Sequence, residues 1–261
     1  DADEDLEIIK PIRVLKAERK RNKNIKSYKI KLDKLIKTNQ ELKEKILDNL
    51  RDDRDKFYFA LRFESGGRCC EMESLKWDNL FEADEIMKVR IITAKNSGDE
   101  PEREIPLINC LPYLNRWKRQ YIEVFGSDLK GKYIFRKKTD KKNEPIGHGY
   151  YSKICRGLKE VSNIEDLCPK YFRKYAISRW QRENIPEALI KKMSGHSKNS
   201  KAISHYSYHD QVDIDNAVGK MNGIKKKEAV KENHEPIKCS KCFNYNVANT
   251  EECEVCSFPL N

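Results

Sequence analysis

Residues 168–208 read CPKYFRKYAISRWQRENIPEALIKKMSGHSKNSKAISHYSY. Arg173 lies in a helix-like run three residues after Lys170, so on a helix the two share a face. Gly195-His196 closes a second helical pattern, where an imidazole has access to solvent or ligand. Tyr206 follows His196 by ten residues, and Tyr208 lies two further on. A guanidinium, an imidazole and a phenol are the groups with which a protein hydroxyl can attack a phosphodiester. Each also has an ordinary role, such as a helix cap or a packed tyrosine.

The rest of the chain suits a polyanion partner. The 261 residues carry a formal net charge of +11, with 36% charged and 38% hydrophobic residues. Residues 10–45 hold 14 Lys and Arg against 4 Asp and Glu, which concentrates the positive charge in one segment. No apolar run approaches the roughly 18 residues of a membrane span, and no secretory signal is visible. Nine cysteines, four of them in the last 23 residues, argue against a secreted disulfide framework and for a reducing compartment.

Periodicity predicts the elements. Thr38 and Glu41 have capping-box spacing before a helical stripe of Leu42, Ile46, Leu47 and Leu50. Residues 52–65 read as a buried helix ended by Gly66-Gly67, with Arg68 next and a short helix running to Trp77. Val89–Thr93 and Arg103–Leu107 read as the arms of a hairpin, turned through Asn96-Ser97-Gly98-Asp99. Helical patterns return at 110–125 and 147–160, Tyr133–Phe135 reads as a short strand, and Asp213–Met221 as a last helix. The expected fold is mainly α with a small antiparallel β-hairpin or sheet.

Residues 222–237 read as a linker, and 238–261 as a separate module. Cys239-x-x-Cys242 and Cys253-x-x-Cys256 are two metal knuckles that complete a four-sulfur zinc site. The pattern resembles a small zinc ribbon. Four sulfur ligands leave no open position, so the Zn2+ is expected to be structural. Lys238 and Lys241 stand against Glu251, Glu252 and Glu254, and four thiolates outweigh one Zn2+. The module is therefore net negative and reads as a protein-contact surface rather than a phosphate clamp.

Gly67-Arg68-x-x-Glu71-x-x-x-Leu75-x-Trp77 resembles the first arginine box of tyrosine site-specific recombinases, the phage integrase and Xer type. Ala94-Lys95 with Arg103–Leu107 resembles their hairpin lysine, and Gly195-His196-Ser197 with Tyr206 their last box and nucleophile. Lys170-x-x-Arg173 stands where the family carries His-x-x-Arg, so a lysine replaces a histidine. The resemblance spans roughly residues 35–221, which would be the catalytic domain, with 1–34 a basic linker or the remnant of an N-terminal DNA-binding domain. The wording around Ser200–Tyr206, with the ribbon behind it, looks most like archaeal or archaeal-mobile-element members.

The resemblance implies a DNA recombinase that breaks and rejoins strands through a 3′-phosphotyrosine, without ATP or a catalytic metal. Arg68, Lys170, Arg173 and His196 would surround the phosphate, Lys95 would protonate the leaving 5′-oxygen, and Tyr206 would attack. It also implies a double-stranded DNA site, a synaptic tetramer on that DNA, and a cytoplasmic, nucleoid-associated setting in a prokaryote or its virus. Two other readings stay open on the sequence: a type IB topoisomerase-like enzyme, and a catalytically silent DNA-binding adaptor whose ribbon recruits a partner.

Overall fold

The computed structural model describes residues 36, 38–94, 101–139, 142–165, 167–205, 215, 218, 219, 221–223 and 236–260. Ile36–Asn261 form one compact unit. Lys95, Tyr206, Tyr208 and the predicted hairpin turn lie outside the described residues, as does most of the predicted 213–221 helix.

Helix α1, Asn39–Lys45, starts where the capping box predicts: the Glu41 amide donates to Thr38 Oγ1 at 3.1 Å. Its expected continuation to residue 50 is instead a 3-10 turn, Leu47–Asn49. Helix α2, Asp53–Ser65, is capped by Asp52 and buries residues around its whole circumference, as a central helix must. It ends at Gly66, at φ +63°. A Cβ there would lie 2.8 Å from the Trp180 ring, so the glycine serves both the turn and the packing.

Helix α3, Cys69–Glu73, follows. Three antiparallel strands come next, β1 (Leu80–Ala83), β2 (Ile86–Ile92) and β3 (Glu102–Pro106), in that spatial order. The two-armed hairpin is thus a three-stranded sheet. Leu80-Phe81-Glu82-Ala83 is too short and too mixed to show a period of two, and pairing with β2 makes it a strand. Tyr133–Phe135 is not a strand. A lone bridge joins Tyr133 to Lys76, and the Tyr133 amide, which faces away from that partner, donates to the Asn143 side chain at 3.0 Å.

Helix α4, Leu111–Phe125, buries Leu114, Trp117 and Tyr121. The segment leading into it is held from α2: both carboxylate oxygens of Glu64 accept amides, from Ile108, Asn109 and the N-cap residue Cys110, at 2.8–3.0 Å. Helices α5 (His148–Gly157) and α6 (Lys159–Ser162) replace the single predicted helix at 147–160. Helix α7, Pro169–Arg182, packs on α2, and α8, Glu187–Ser194, joins it through a core of Ala176, Ile177, Trp180, Ile190 and Ile203. Strands β4 (Ile237–Lys238) and β5 (Tyr245–Asn246) pair in the C-terminal module. None of the described helices is long and apolar enough to cross a membrane.

Candidate active site

Five elements converge on one cluster: the C-terminus of α2, the start of α3, strand β3, helix α7 and the C-terminus of α8. Glu71 is its hub. The Glu71 side chain has no exposed surface and accepts from Arg68 Nη1 at 2.6 Å, from the Arg68 amide at 2.8 Å and from Arg103 Nη2 at 2.7 Å. The Ala94 amide also reaches it, at 3.3 Å. Burial opposes the charged carboxylate, but the bonds and charge of Arg103 and then Arg68 outweigh it and hold Glu71 down to about 2.

These bonds orient the arginines. Arg68 also donates to the Gly195 carbonyl at 3.0 Å and keeps part of its side chain exposed. Arg103 is buried and donates through Nε to the Met193 carbonyl at 2.8 Å. Arg173, on α7, donates to the Gly66 carbonyl and to the Ser194 carbonyl, each at 2.7 Å. Carbonyls at two helix ends, which lack helical donors of their own, thus fix a guanidinium between α2 and α8.

His196 sits in the middle. Its Nε2 lies 3.3 Å from Arg173 Nη2, and its Nδ1 lies 2.6 Å from Ser194 Oγ. Burial, and then Arg173, Arg68 and Arg103, disfavour a charged ring and bring its pKa down to about 4. Gly195 has φ +64°, and a Cβ there would come within 2.8 Å of Arg103 Nη1. The glycine of the Gly-His turn therefore leaves room for a guanidinium as well as ending α8.

The result is a half-buried cradle of three guanidinium groups and a neutral imidazole, paired with one carboxylate. Excess positive charge fixed by hydrogen bonds is suited to a phosphate whose charge grows in a transition state. The sequence matches the model of the phage integrase family over residues 32–212. The chain belongs to the phage integrase family.

Solved structures share the fold of this family member. XerH site-specific recombinase bound to palindromic difH substrate matches with a TM-score of 0.55 at 15% identity, over 71% of this chain and 52% of that one. XerA recombinase matches with a TM-score of 0.56 at 15% identity, over 74% and 66%. The Tn1549 transposon integrase in complex with circular intermediate DNA matches with a TM-score of 0.50 at 13% identity, over 71% and 64%. The chain thus spans about half to two thirds of the length of these proteins. A comparison of the sequence with curated proteins finds no match.

Of the residues expected in the site, the structure brings together Arg68, Arg173 and His196. Lys170 is exposed in the first turn of α7. Lys95 and Tyr206 fall outside the described residues. Three participants were not among the expected site residues: Glu71, which the sequence showed only as part of the first arginine box, Arg103 and Ser194. Arg103 had a readable signal, since Glu102 and Glu104 alternate with Arg103 and Ile105, which puts an arginine on the buried face of β3. Ser194 had none, because its role rests on a contact inside one tight turn.

The four C-terminal cysteines also converge, with their sulfur atoms all within 4.8 Å of one another. Cys239 and Cys256 are 3.7 Å apart and Cys242 and Cys253 3.5 Å, far beyond a disulfide bond of about 2.05 Å. Tetrahedral zinc with bonds of about 2.3 Å sets its sulfurs about 3.8 Å apart, so the donor set fits that ion.

Proposed function

We propose that this family member is a site-specific DNA recombinase that cuts and rejoins strands through a 3′-phosphotyrosine. The observation that carries this reading is the cradle of Arg68, Arg103, Arg173 and His196 at residues where the family's boxes fall. Tyr206 Oη would attack the phosphorus. A bond forms from Tyr206 to phosphorus as the bond to the 5′-oxygen breaks, and Lys95 gives that oxygen its proton. Arg68 and Arg173 would hold the equatorial oxygens as their charge rises. The phosphotyrosine keeps the energy of the broken bond, so religation is the reverse attack and needs no ATP.

The substrate would be a double-stranded recombination site, joined with a second site by four copies of the chain. Residues 238–261 would bind one structural Zn2+ and offer a surface to a protein partner. Family membership supports this reading over the topoisomerase-like and silent-adaptor readings. Nicked duplexes cut from the host genome, which trap a cleaved strand on the enzyme, supply the test. A covalent adduct is expected from the native chain and from Tyr208→Phe, and none from Tyr206→Phe. An adduct that survives Tyr206→Phe but not Tyr208→Phe would move the nucleophile, and no adduct from the native chain on any duplex would refute the enzyme.

A further inference from the structure

The two cysteine knuckles of the C-terminal module close with the same turn. The residue after each second cysteine donates its amide back to the first cysteine's carbonyl, Phe243 to Cys239 at 2.9 Å and Ser257 to Cys253 at 2.8 Å. Both residues are left-handed, Phe243 at φ +59° and Ser257 at φ +51°. A serine serves the second turn, so the turn itself does not call for an aromatic ring. Left-handed backbone strains a bulky side chain, and glycine or asparagine would take the position with less strain. Packing does not call for the ring either, since Phe243 is 67% exposed. One residue thus combines backbone strain with bare apolar surface, and both features mark contact sites.

Cations surround the ring. Lys238 on β4 lies opposite Tyr245 on β5, and its ammonium stands 5.8 Å from the centre of the Phe243 ring and 5.5 Å from that of Tyr245. Lys241, inside the same knuckle, stands 6.0 Å from the centre of the Phe258 ring. The electron-rich ring faces hold both ammonium groups in place. Both lysines are exposed, and neither pairs with a carboxylate among the described residues. This surface is separate from the module's seat on the catalytic fold. The seat is made by Val247 and Ala248 against α1 and α4 and by Glu254 on Arg116, and none of the three rings or two lysines lines the cavities there.

We propose that Phe243, Lys238 and Lys241 form a docking surface for an acidic segment of a partner protein. An apolar side chain of that segment lies on the Phe243 ring, and its carboxylates meet the two ammonium groups. The inference rests on the protein-contact role proposed for residues 238–261 and supplies its chemistry. Two ammonium groups beside a bare ring match a segment that mixes carboxylates with apolar side chains. A nucleic acid fits less well. Its phosphates continue past the two lysines and meet four thiolates on one Zn2+, together with Glu251 and Glu252.

The full-length chain loaded with Zn2+ supplies the test. In competition with a chelator, Phe243→Asn is expected to hold Zn2+ as tightly as the native chain or a few-fold more tightly, because strain is relieved and no packing is lost. A Phe243→Asn chain that gives up its zinc more readily would make the ring a structural part of the knuckle and overturn the proposal. The binding probe is a synthetic peptide of aspartates around two leucines, with affinity read from the Tyr245 resonances. Binding is expected to weaken at least about tenfold in Phe243→Asn and about two- to fivefold in Lys238→Gln or Lys241→Gln. No binding by the loaded native chain, or equal binding by Phe243→Asn, would overturn the proposal. So would an oligothymidylate that binds these residues more tightly than the peptide, since the surface would then be one for nucleic acid. A native chain that takes up no Zn2+ refutes the metal-module reading beneath this inference. A loaded chain that ignores the peptide refutes this inference alone.

Discussion

Glu71 is a single residue with a large effect, because one buried carboxylate pairs with two arginines at once. Arg103 is almost wholly buried, and without Glu71 its charge would lack a counter-ion. Glu71→Gln is therefore expected to destabilise the protein by about 3–5 kcal/mol, as breaking a buried pair does. The pH dependence has a definite sign. The folded carboxyl, at about 2, sits below its ordinary value of 4.5. Its stabilisation, on the order of 3 kcal/mol, is complete above pH 4.5 and lost as pH falls toward 2. His196 adds a window above this one. Its folded pKa, about 4, lies below the ordinary 6.5, so the unfolded chain takes a proton first and stability declines as pH drops from 6.5 to 4. Melting temperatures measured from pH 7 to 2 are expected to show both declines, with only the upper one kept in Glu71→Gln.

Among the elements, the C-terminal end of α8 governs the site. Within three residues it supplies the Ser194 carbonyl to Arg173, the Gly195 carbonyl to Arg68, and His196 itself. The turn that allows this needs a left-handed residue, and the space beside it belongs to Arg103. Gly195→Ala is expected to cost about 1–2 kcal/mol in backbone strain, seen as a fall of roughly 2–4 °C in melting temperature for each kcal/mol. It should also push Arg103 off its place and slow adduct formation about tenfold or more, since small displacements of positioned groups weaken catalysis steeply. Gly195→Asn is expected to melt above Gly195→Ala, because asparagine tolerates the left-handed region better. It would not recover cleavage, because its Cβ meets the same guanidinium.

In the molecule as a whole, the C-terminal module rests on the catalytic fold rather than hanging from it. Glu254 takes both an Nε bond, at 2.6 Å, and an Nη2 bond from Arg116 on α4, and Arg116 lies over the Tyr113 ring. The anionic character read from the sequence is thus partly spent inside the chain, on this pair. A partly exposed pair of this kind is worth about 0.5–1 kcal/mol, so metal is expected to dominate the module's stability. Chelation of the full chain should release one Zn2+ and broaden the Phe243 and Tyr245 resonances, while the melting temperature of the α-helical core stays within a degree or two. A core that melts together with the module would show that the ribbon is part of the fold.

Several features of this protein were legible along the chain. The capping box at Thr38, the buried helix closed by Gly66, the Gly-His turn and the two cysteine knuckles are short-range patterns, and they form because neighbouring residues dictate local backbone conformation. The order of the boxes was equally plain. What remained hidden needed contacts across long stretches of chain. The strand at Leu80–Ala83 exists through its partner, and Tyr133 is held by Lys76 on one side and Asn143 on the other. Glu71 meets Arg103 across 32 residues, and Arg173 meets Gly66 across 107. The sequence by itself determined where most of the helices lie, most of the candidates for the chemistry, and that four cysteines with metal-knuckle spacing follow them. The tertiary structure alone decided that Arg103 joins the cradle, that Glu71 serves two arginines, and that Ser194 and Arg173 bracket His196. Direction and distance between side chains come from packing, and no local period encodes them.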